Sequence, residues 1–323
     1  ITNCRRWFER CAFYRNSRGL VTSWWNLAGS QLSVPQEKIV KEKVKKNLNT
    51  RRRFIQSSLL MMAGTMTPFS LSLAQGRRVE RPGLQLYTLR ADMSRDFEGT
   101  LARVAELGYK EMEFAGYFNK SPSQVRSILD QNGLTSPASH IQLTEVRDNL
   151  EETIETAVAI GQKYIVVPII SPNERSLSDY QRHAETLNRA GEACRRAGIK
   201  MGYHNHDFEF VETSGRIPYD VLLEETDPDL VDFELDLYWI KNAGKDYSAY
   251  FEKHPGRFSM LHVKDMDEFG RMVEVGRGTI DFAEIFSHQD SAGIEHFFVE
   301  HDRPVNGLAS VADSLYTLRN MTF

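Results

Sequence analysis

The stretch MGYHNHDFEF, Met201 to Phe210, begins like a strand and ends like a binding site. Gly198 closes the helical pattern before it, and Ile199, Met201 and Tyr203 bring apolar bulk. His204, His206, Asp207 and Glu209 then fall within six residues. Side chains two apart on a strand share a face, so the spacing predicts that His204 and His206 point the same way. Three more strand-like runs end in similar chemistry: VDFELDLYW at Asp236, SMLHVKD at His262 and Lys264, and FFVEHD at Glu300. Four runs ending in imidazole or carboxylate point to one site assembled from strand ends.

Outward from this stretch the pattern is regular. Strand-like runs cover Gly83–Leu89, Lys110–Gly116, Leu134–Gln142, Tyr164–Ile170, the stretch from Met201, Val231–Trp239, Phe258–Asp265 and Ile294–His301. Helical spacing follows each one: Phe97–Leu107, Pro122–Gln131, Glu145–Ile160, Ser178–Ala197, Tyr219–Glu225, Tyr247–Lys253, a segment from Asp281, and Leu308–Leu318. Such alternation predicts parallel strands joined by helical crossovers. Eight units in about 245 residues predict an α/β fold of the TIM (β/α)8 barrel type, with its chemistry at the C-terminal strand ends. An open doubly wound sheet is the alternative, but no GxGxxG follows the first strand.

A barrel requires reactive residues to end strands rather than begin them. Glu113, His140, His204, His206, Asp236, His262, Lys264 and Glu300 fall at such ends, on six different strands. Burying so many carboxylates unpaired is costly, so a metal ion or a dense hydrogen-bond network is expected. Mixed imidazole and carboxylate donors suit Mn²⁺, Co²⁺, Zn²⁺ or Mg²⁺. The same alternation allows Lys264 to form a salt bridge with Asp236 or Glu300 instead of touching a ligand.

Charge is unevenly spread. Residues 1–53 hold 13 Lys and Arg against Glu9, Glu37 and Glu42, while the remaining residues hold 27 basic against 41 acidic side chains. An acidic body lacks the basic footprint of a nucleic-acid binder. Cys194 is the one cysteine after Cys4 and Cys11, which excludes a disulfide framework in the body and suits a small core residue. Residues 1–48 form a basic extension with no sustained period. Residues 49–76 place arginines before Phe54 and a weakly apolar run ending in Ser72-Leu73-Ala74. That run resembles a twin-arginine export signal and predicts a periplasmic protein without stable membrane insertion. The barrel is expected over residues 77–323.

Gly83–Leu89, Gly108–Gly116, Ala138–His140, Tyr203–Phe210, Phe233–Trp239, Leu261–Asp265, the loop from Gly276 to Asp281 and Val299–Arg303 together resemble the sugar phosphate isomerase/epimerase group, the xylose isomerase-like TIM barrel superfamily. The resemblance implies one divalent metal ion on four strand-end residues and chemistry at the carbonyl of a sugar or polyol. Asp236, His262 and Glu300 match three ligands. His204 stands where ketose 3-epimerases of the superfamily carry a glutamate, and it is the expected fourth ligand, with His206 beside it as the alternative for that role. Its His-x-His strand end is also similar to inosose dehydratase-like members.

The expected reaction is therefore isomerisation or epimerisation of a keto-sugar through a metal-stabilised enediolate. The alternative is elimination from an oxidised 3-keto or inosose-like substrate. Glu300 or His206 is the candidate base, and Lys264 the group that steadies the developing oxyanion. Glu113, His140, Glu209 and Trp239 are expected to touch the substrate, and Asp265 and Asp302 to orient the ligands. Export suggests an unphosphorylated sugar, and the group's habits imply a homodimer. A carbohydrate-binding protein without activity and a multi-zinc hydrolase resembling endonuclease IV are the other classes considered.

Overall fold

The computed structural model describes residues 76–323. The basic extension and all but the last residue of the export-type leader lie outside the described residues. Eight parallel strands close into a barrel in sequential order. They are β1 (Gly83–Gln85), β2 (Glu111–Phe114), β3 (Thr135–His140), β4 (Tyr164–Val167), β5 (Lys200–His204), β6 (Val231–Asp236), β7 (Met260–Val263) and β8 (His296–Val299). Closure comes from β1 against β8, with Gly83 opposite Phe298. The principal helices are α1 (Phe97–Leu107), α2 (Pro122–Gln131), α3 (Leu150–Ile160), α4 (Leu177–Arg196), α5 (Pro218–Glu225), α6 (Tyr247–Lys253), α7 (Phe282–Ser287) and α8 (Gly307–Asn320). Among the described residues no helix is long and apolar enough to cross a membrane.

Local chemistry sets the boundaries. Ser121 and Ser176 cap α2 and α4 in reciprocal boxes with Gln124 and Asp179. Gly108 and Gly161, both left-handed, stop α1 and α3. The single helix expected over Glu145–Ile160 is broken at Asn149 into Leu143–Asp148 and α3. Strands are shorter than their apolar runs. VDFELDLYW leaves the sheet at Asp236, whose carboxylate accepts from the Trp239 N–H and caps the short helix Leu237–Asn242. GLQLYTL likewise turns into a 3₁₀ segment at Leu86, capped by the Gln85 side chain.

Most of the apolar core lies between strands and helices. Inside the barrel, side chains alternate strictly and stack in tiers. The lower tier is ionic: His296 Nδ1 lies 2.7 Å from Glu111, and Lys200 Nζ lies 2.8 Å from Asp232. Above it, Ala138, Tyr164, Val166, Met260 and Phe298 form an apolar plug. The top tier carries the polar strand ends, with Asp236 in register with His262 across β6 and β7.

His204 is the last residue of β5, so the expectation that His206 shares its strand face is corrected. His206 sits in the following turn. Glu209 holds that turn, its carboxylate accepting from the His206 backbone N–H at 2.9 Å and from the Tyr203 hydroxyl at 2.7 Å. Burial raises the Glu209 carboxyl to about 7, against the opposing pull of the Tyr203 and backbone donors.

Two outcomes follow. A Cβ at Gly83 would lie 2.5 Å from Phe298 Cδ1 and 2.8 Å from the Phe297 carbonyl oxygen. Gly83→Ala is expected to cost about 1–3 kcal/mol in denaturant unfolding, and an unchanged midpoint would remove the tight seam as its cause. Folded Glu209 keeps its proton between an ordinary carboxyl value near 4.5 and about 7, where the unfolded chain has lost it. Stability must therefore decline as pH rises through that window. Glu209→Gln should flatten this part of the profile of urea midpoints between pH 5 and pH 8, and an unaltered slope would assign it elsewhere.

Candidate active site

The top tier opens into a cavity of about 370 Å³. His140, His204, His206, Lys264 and Glu300 line it, together with Tyr87, Asp302 and Arg303. Asp236 and His262 are fully buried just beneath. The strand ends thus converge on one mouth, as the alternation requires.

Each donor atom facing the centre is free because its partner atom is tied elsewhere. His204 Nδ1 is 3.0 Å from the Pro168 carbonyl oxygen, to which it can donate, which leaves Nε2 toward Asp236 Oδ2 at 3.1 Å. Asp236 Oδ1 is taken by the Trp239 N–H, so Oδ2 points inward. His262 Nε2 lies 2.8 Å from Glu113 and 3.1 Å from Glu234, turning Nδ1 toward Glu300 at 2.8 Å and Asp236 at 3.5 Å. His262 Nδ1 lacks an aligned hydrogen bond despite that 2.8 Å contact. Donor atoms of His204, Asp236, His262 and Glu300 gather within 4.8 Å of one another, a set that fits a divalent cation. Imidazoles held from behind by a carbonyl or carboxylate are the usual arrangement at metal centres.

The electrostatics require positive charge here. Burial alone would raise the Asp236 and Glu300 carboxyls, but Lys264 and His262 hold both well below the ordinary range, joined at Asp236 by His204. Burial alone would lower His262, yet Glu234 and Glu300 push it far above its usual value. Lys264 is 2 % exposed and lies 2.9 Å from Asp236, 2.8 Å from Glu300 and 2.9 Å from Asp302. The salt bridges anticipated for Lys264 therefore form while it also lines the cavity. His206 is driven down to about 2 by burial and by His204, so its ring is neutral. It stacks on Phe208 at 5.5 Å, and the Arg175 guanidinium lies over the Phe208 ring at 3.3 Å.

Three residues expected to touch substrate lie off the cavity. Glu209 is committed to the β5 turn, and Trp239 packs beside His206 with ring centroids 5.4 Å apart. Glu113 lies under His262, held by the Gln85 amide at 2.8 Å. Of the four, His140 alone reaches the cavity wall. Asp265, expected to orient the ligands, instead accepts from the N–H groups of Met266, Gly276, Gly278 and Ile280 and fixes the loop after β7. Asp302 contacts Lys264.

Sequence reasoning missed Gln85, Asn205 and Glu234. Glu234 shares a strand face with Asp236 and was accessible from that period. Asn205, which accepts from the Asp236 N–H at 3.0 Å, gave no signal beyond its neighbours.

The family model for the xylose isomerase-like TIM barrel matches residues 101–321. An inosose dehydratase from Geobacillus kaustophilus is 28% identical over 270 residues, covering 70% of this chain and 84% of that protein. A sugar phosphate isomerase/epimerase crystal structure from Parabacteroides distasonis superposes with a TM-score of 0.66 at 27% identity, covering 79% of this chain and 99% of that one. The crystal structure of an IOLI protein with a bound zinc atom shares the fold, with a TM-score of 0.60 at 15% identity over 73% of this chain and 96% of its own. The chain belongs to the xylose isomerase-like TIM barrel family, and like these relatives it is an enzyme.

Proposed function

We propose that the enzyme removes the proton alpha to the carbonyl of a keto-sugar or cyclic keto-polyol and expels the hydroxyl on the neighbouring carbon as water. The observation that carries this reading is the position of Glu300, on the cavity wall between Lys264 Nζ and His262 Nδ1, each 2.8 Å away. His204, Asp236, His262 and Glu300 would hold one divalent ion. When bound, that ion would supply Lewis acidity toward the substrate carbonyl and an adjacent hydroxyl.

Glu300 takes the proton. In the resting site Lys264 and His262 keep it a weak base, and Lys264 is shared among three carboxylates. Once the ammonium donates to a substrate oxygen, less of its charge falls on Glu300, whose proton affinity rises. Lys264 thus steadies the charge developing on oxygen while releasing the base. Asp302, 2.9 Å from Lys264 and open to the cavity, has its carboxyl raised by burial; it starts protonated, delivers that proton to the departing hydroxyl, and regains one from solvent as Glu300 gives up its own. His206, neutral and with Nδ1 unpartnered, presents a nitrogen to a sugar hydroxyl.

Elimination is favoured over epimerisation by the inosose dehydratases of two Geobacillus species, which match this chain along 84% and 80% of their own length. His204 also replaces the glutamate that a two-carboxylate epimerase needs. The likeness to the Parabacteroides isomerase/epimerase structure supports a second reading, in which the proton returns to carbon and no water leaves. The leader supports export, and with it an unphosphorylated substrate in the periplasm.

Glu300→Gln should lower turnover of keto-inositols or 3-keto-glucosides by about 10²–10⁴-fold and abolish exchange of the alpha proton in D₂O. Full exchange in the variant would remove Glu300 as base. Asp302→Asn separates the two outcomes. Exchange should persist while dehydrated product falls at least about 10²-fold, and an equal loss of both would place Asp302 in the first proton transfer.

A further inference from the structure

Directly beneath the outer donor set lies a second one, sharing His262 with it, whose other three members the proposed reaction does not use. Glu113, His140, Glu234 and His262 bring donor atoms within 4.8 Å of one another. Nitrogen and oxygen alternate around it. His262 Nε2 is 2.8 Å from Glu113 Oε2 and 3.1 Å from Glu234 Oε2, while His140 Nε2 is 2.8 Å from Glu234 Oε2 and 3.4 Å from Glu113 Oε1. Both carboxylates are fully buried, and Glu113 Oε1 and Glu234 Oε1 have no hydrogen-bond partner. Orphaned carboxylate oxygens at zero exposure are costly, and both of these belong to carboxylates that share the same two histidines. The Gln85 amide, 2.8 Å from Glu113 Oε2, orients that carboxylate from behind.

We propose that Glu113, His140, Glu234 and Nε2 of His262 form a second divalent-cation site, with His262 bridging the inner and outer ions as an imidazolate. The bridging part rests on the reading of the outer site given above. The donor set of two imidazole nitrogens and two carboxylate oxygens is that of a tetrahedral Zn²⁺ or Co²⁺ centre. Two of the contacts, 3.1 and 3.4 Å, approach the edge of about 3.3 Å of a tetrahedron with bonds of about 2.0–2.1 Å, and the two 2.8 Å contacts would lengthen as the cation replaces a shared proton. Binding is balanced by protons: the inner cation takes the place of the proton on His262 Nε2, which leaves to water, and of the charge that His140 would otherwise carry. Charge count agrees. With Asp302 protonated, Lys264 and two divalent ions together balance Asp236, Glu300, Glu113, Glu234 and the bridging imidazolate. The cavity gives a route inward, because His140 forms part of its wall.

The test is Co²⁺ binding to the full chain, measured by equilibrium dialysis and by d–d absorption. Wild type should bind two ions per chain. Glu234→Gln, nearly isosteric, should bind one, and Asp236→Asn should bind one with the complementary spectrum. His140→Gln, at the cavity wall, repeats the inner-site loss should Glu234→Gln fail to fold. Saturation of the wild type at one ion, or two ions retained in both inner-site variants, would overturn the proposal and leave the inner set as an ion-paired floor. Loss of an ion in Glu234→Gln with no loss in Asp236→Asn would keep the inner site and sink the outer reading.

Discussion

The imidazole of His262 is shared by four buried carboxylates, and the rest of the site is arranged around that fact. Nε2 faces Glu113 and Glu234, and Nδ1 faces Asp236 and Glu300, at separations from 2.8 to 3.5 Å. Four carboxylates around one ring in a low-dielectric interior require compensating positive charge, from protons, from Lys264 or from a cation. This is why the ring is driven far above its ordinary basicity and why its neighbour Lys264 stays charged at 2 % exposure. The barrel makes such crowding possible. Its inward positions repeat every second residue, so β6 supplies Glu234 and Asp236, and β7 supplies His262 and Lys264, from consecutive tiers.

Crowding alone does not aim the donors. Three of the four outer donors are aimed by a tie that occupies the other atom or the backbone. Pro168 holds His204, the Trp239 and Asn205 contacts hold Asp236, and Glu113 with Glu234 holds His262. The tie on Asp236 is also what ends β6, since its carboxylate caps the helix that begins at Leu237. One residue thus stops a strand, starts a helix and fixes a donor direction, so a substitution there would change architecture and chemistry together. Asp265 divides the labour differently, giving its carboxylate wholly to the loop that follows β7.

The barrel was legible because eight apolar runs alternate with eight helical periods, and that alternation has few parallel solutions. The convergence of His204, Asp236, His262 and Glu300 was legible for the related reason that strand ends must share one rim. The missed details depend on where a strand stops. His206 was placed on the β5 face, whereas the sheet ends at His204 and the Glu209 carboxylate carries His206 into the turn. Glu209 was read as facing substrate because it is charged near a strand end, yet its burial serves the backbone. Glu234 shows the opposite failure. Attention to strand ends passed over a carboxylate two residues earlier on the same face, one tier further in. Gln85 looked like an ordinary strand residue, because nothing local reveals that its amide reaches Glu113 on the adjacent strand.

Lys264 decides how far the proposed chemistry can go. A cation held by three carboxylates is firmly placed, and it also suppresses the basicity of the carboxylate it touches most closely. A base weakened in this way is useful only if the substrate itself relieves it. A carbonyl oxygen that accepts from the ammonium does so, because charge withdrawn from Glu300 is spent where negative charge develops. The same movement loosens Lys264 from Asp302, whose carboxyl lines the cavity. Proton removal and hydroxyl departure are then coupled through one side chain. In an epimerase the second event has no counterpart, and the Lys264–Asp302 contact would be idle. Its presence at 2.9 Å on the cavity wall is the structural reason to favour elimination.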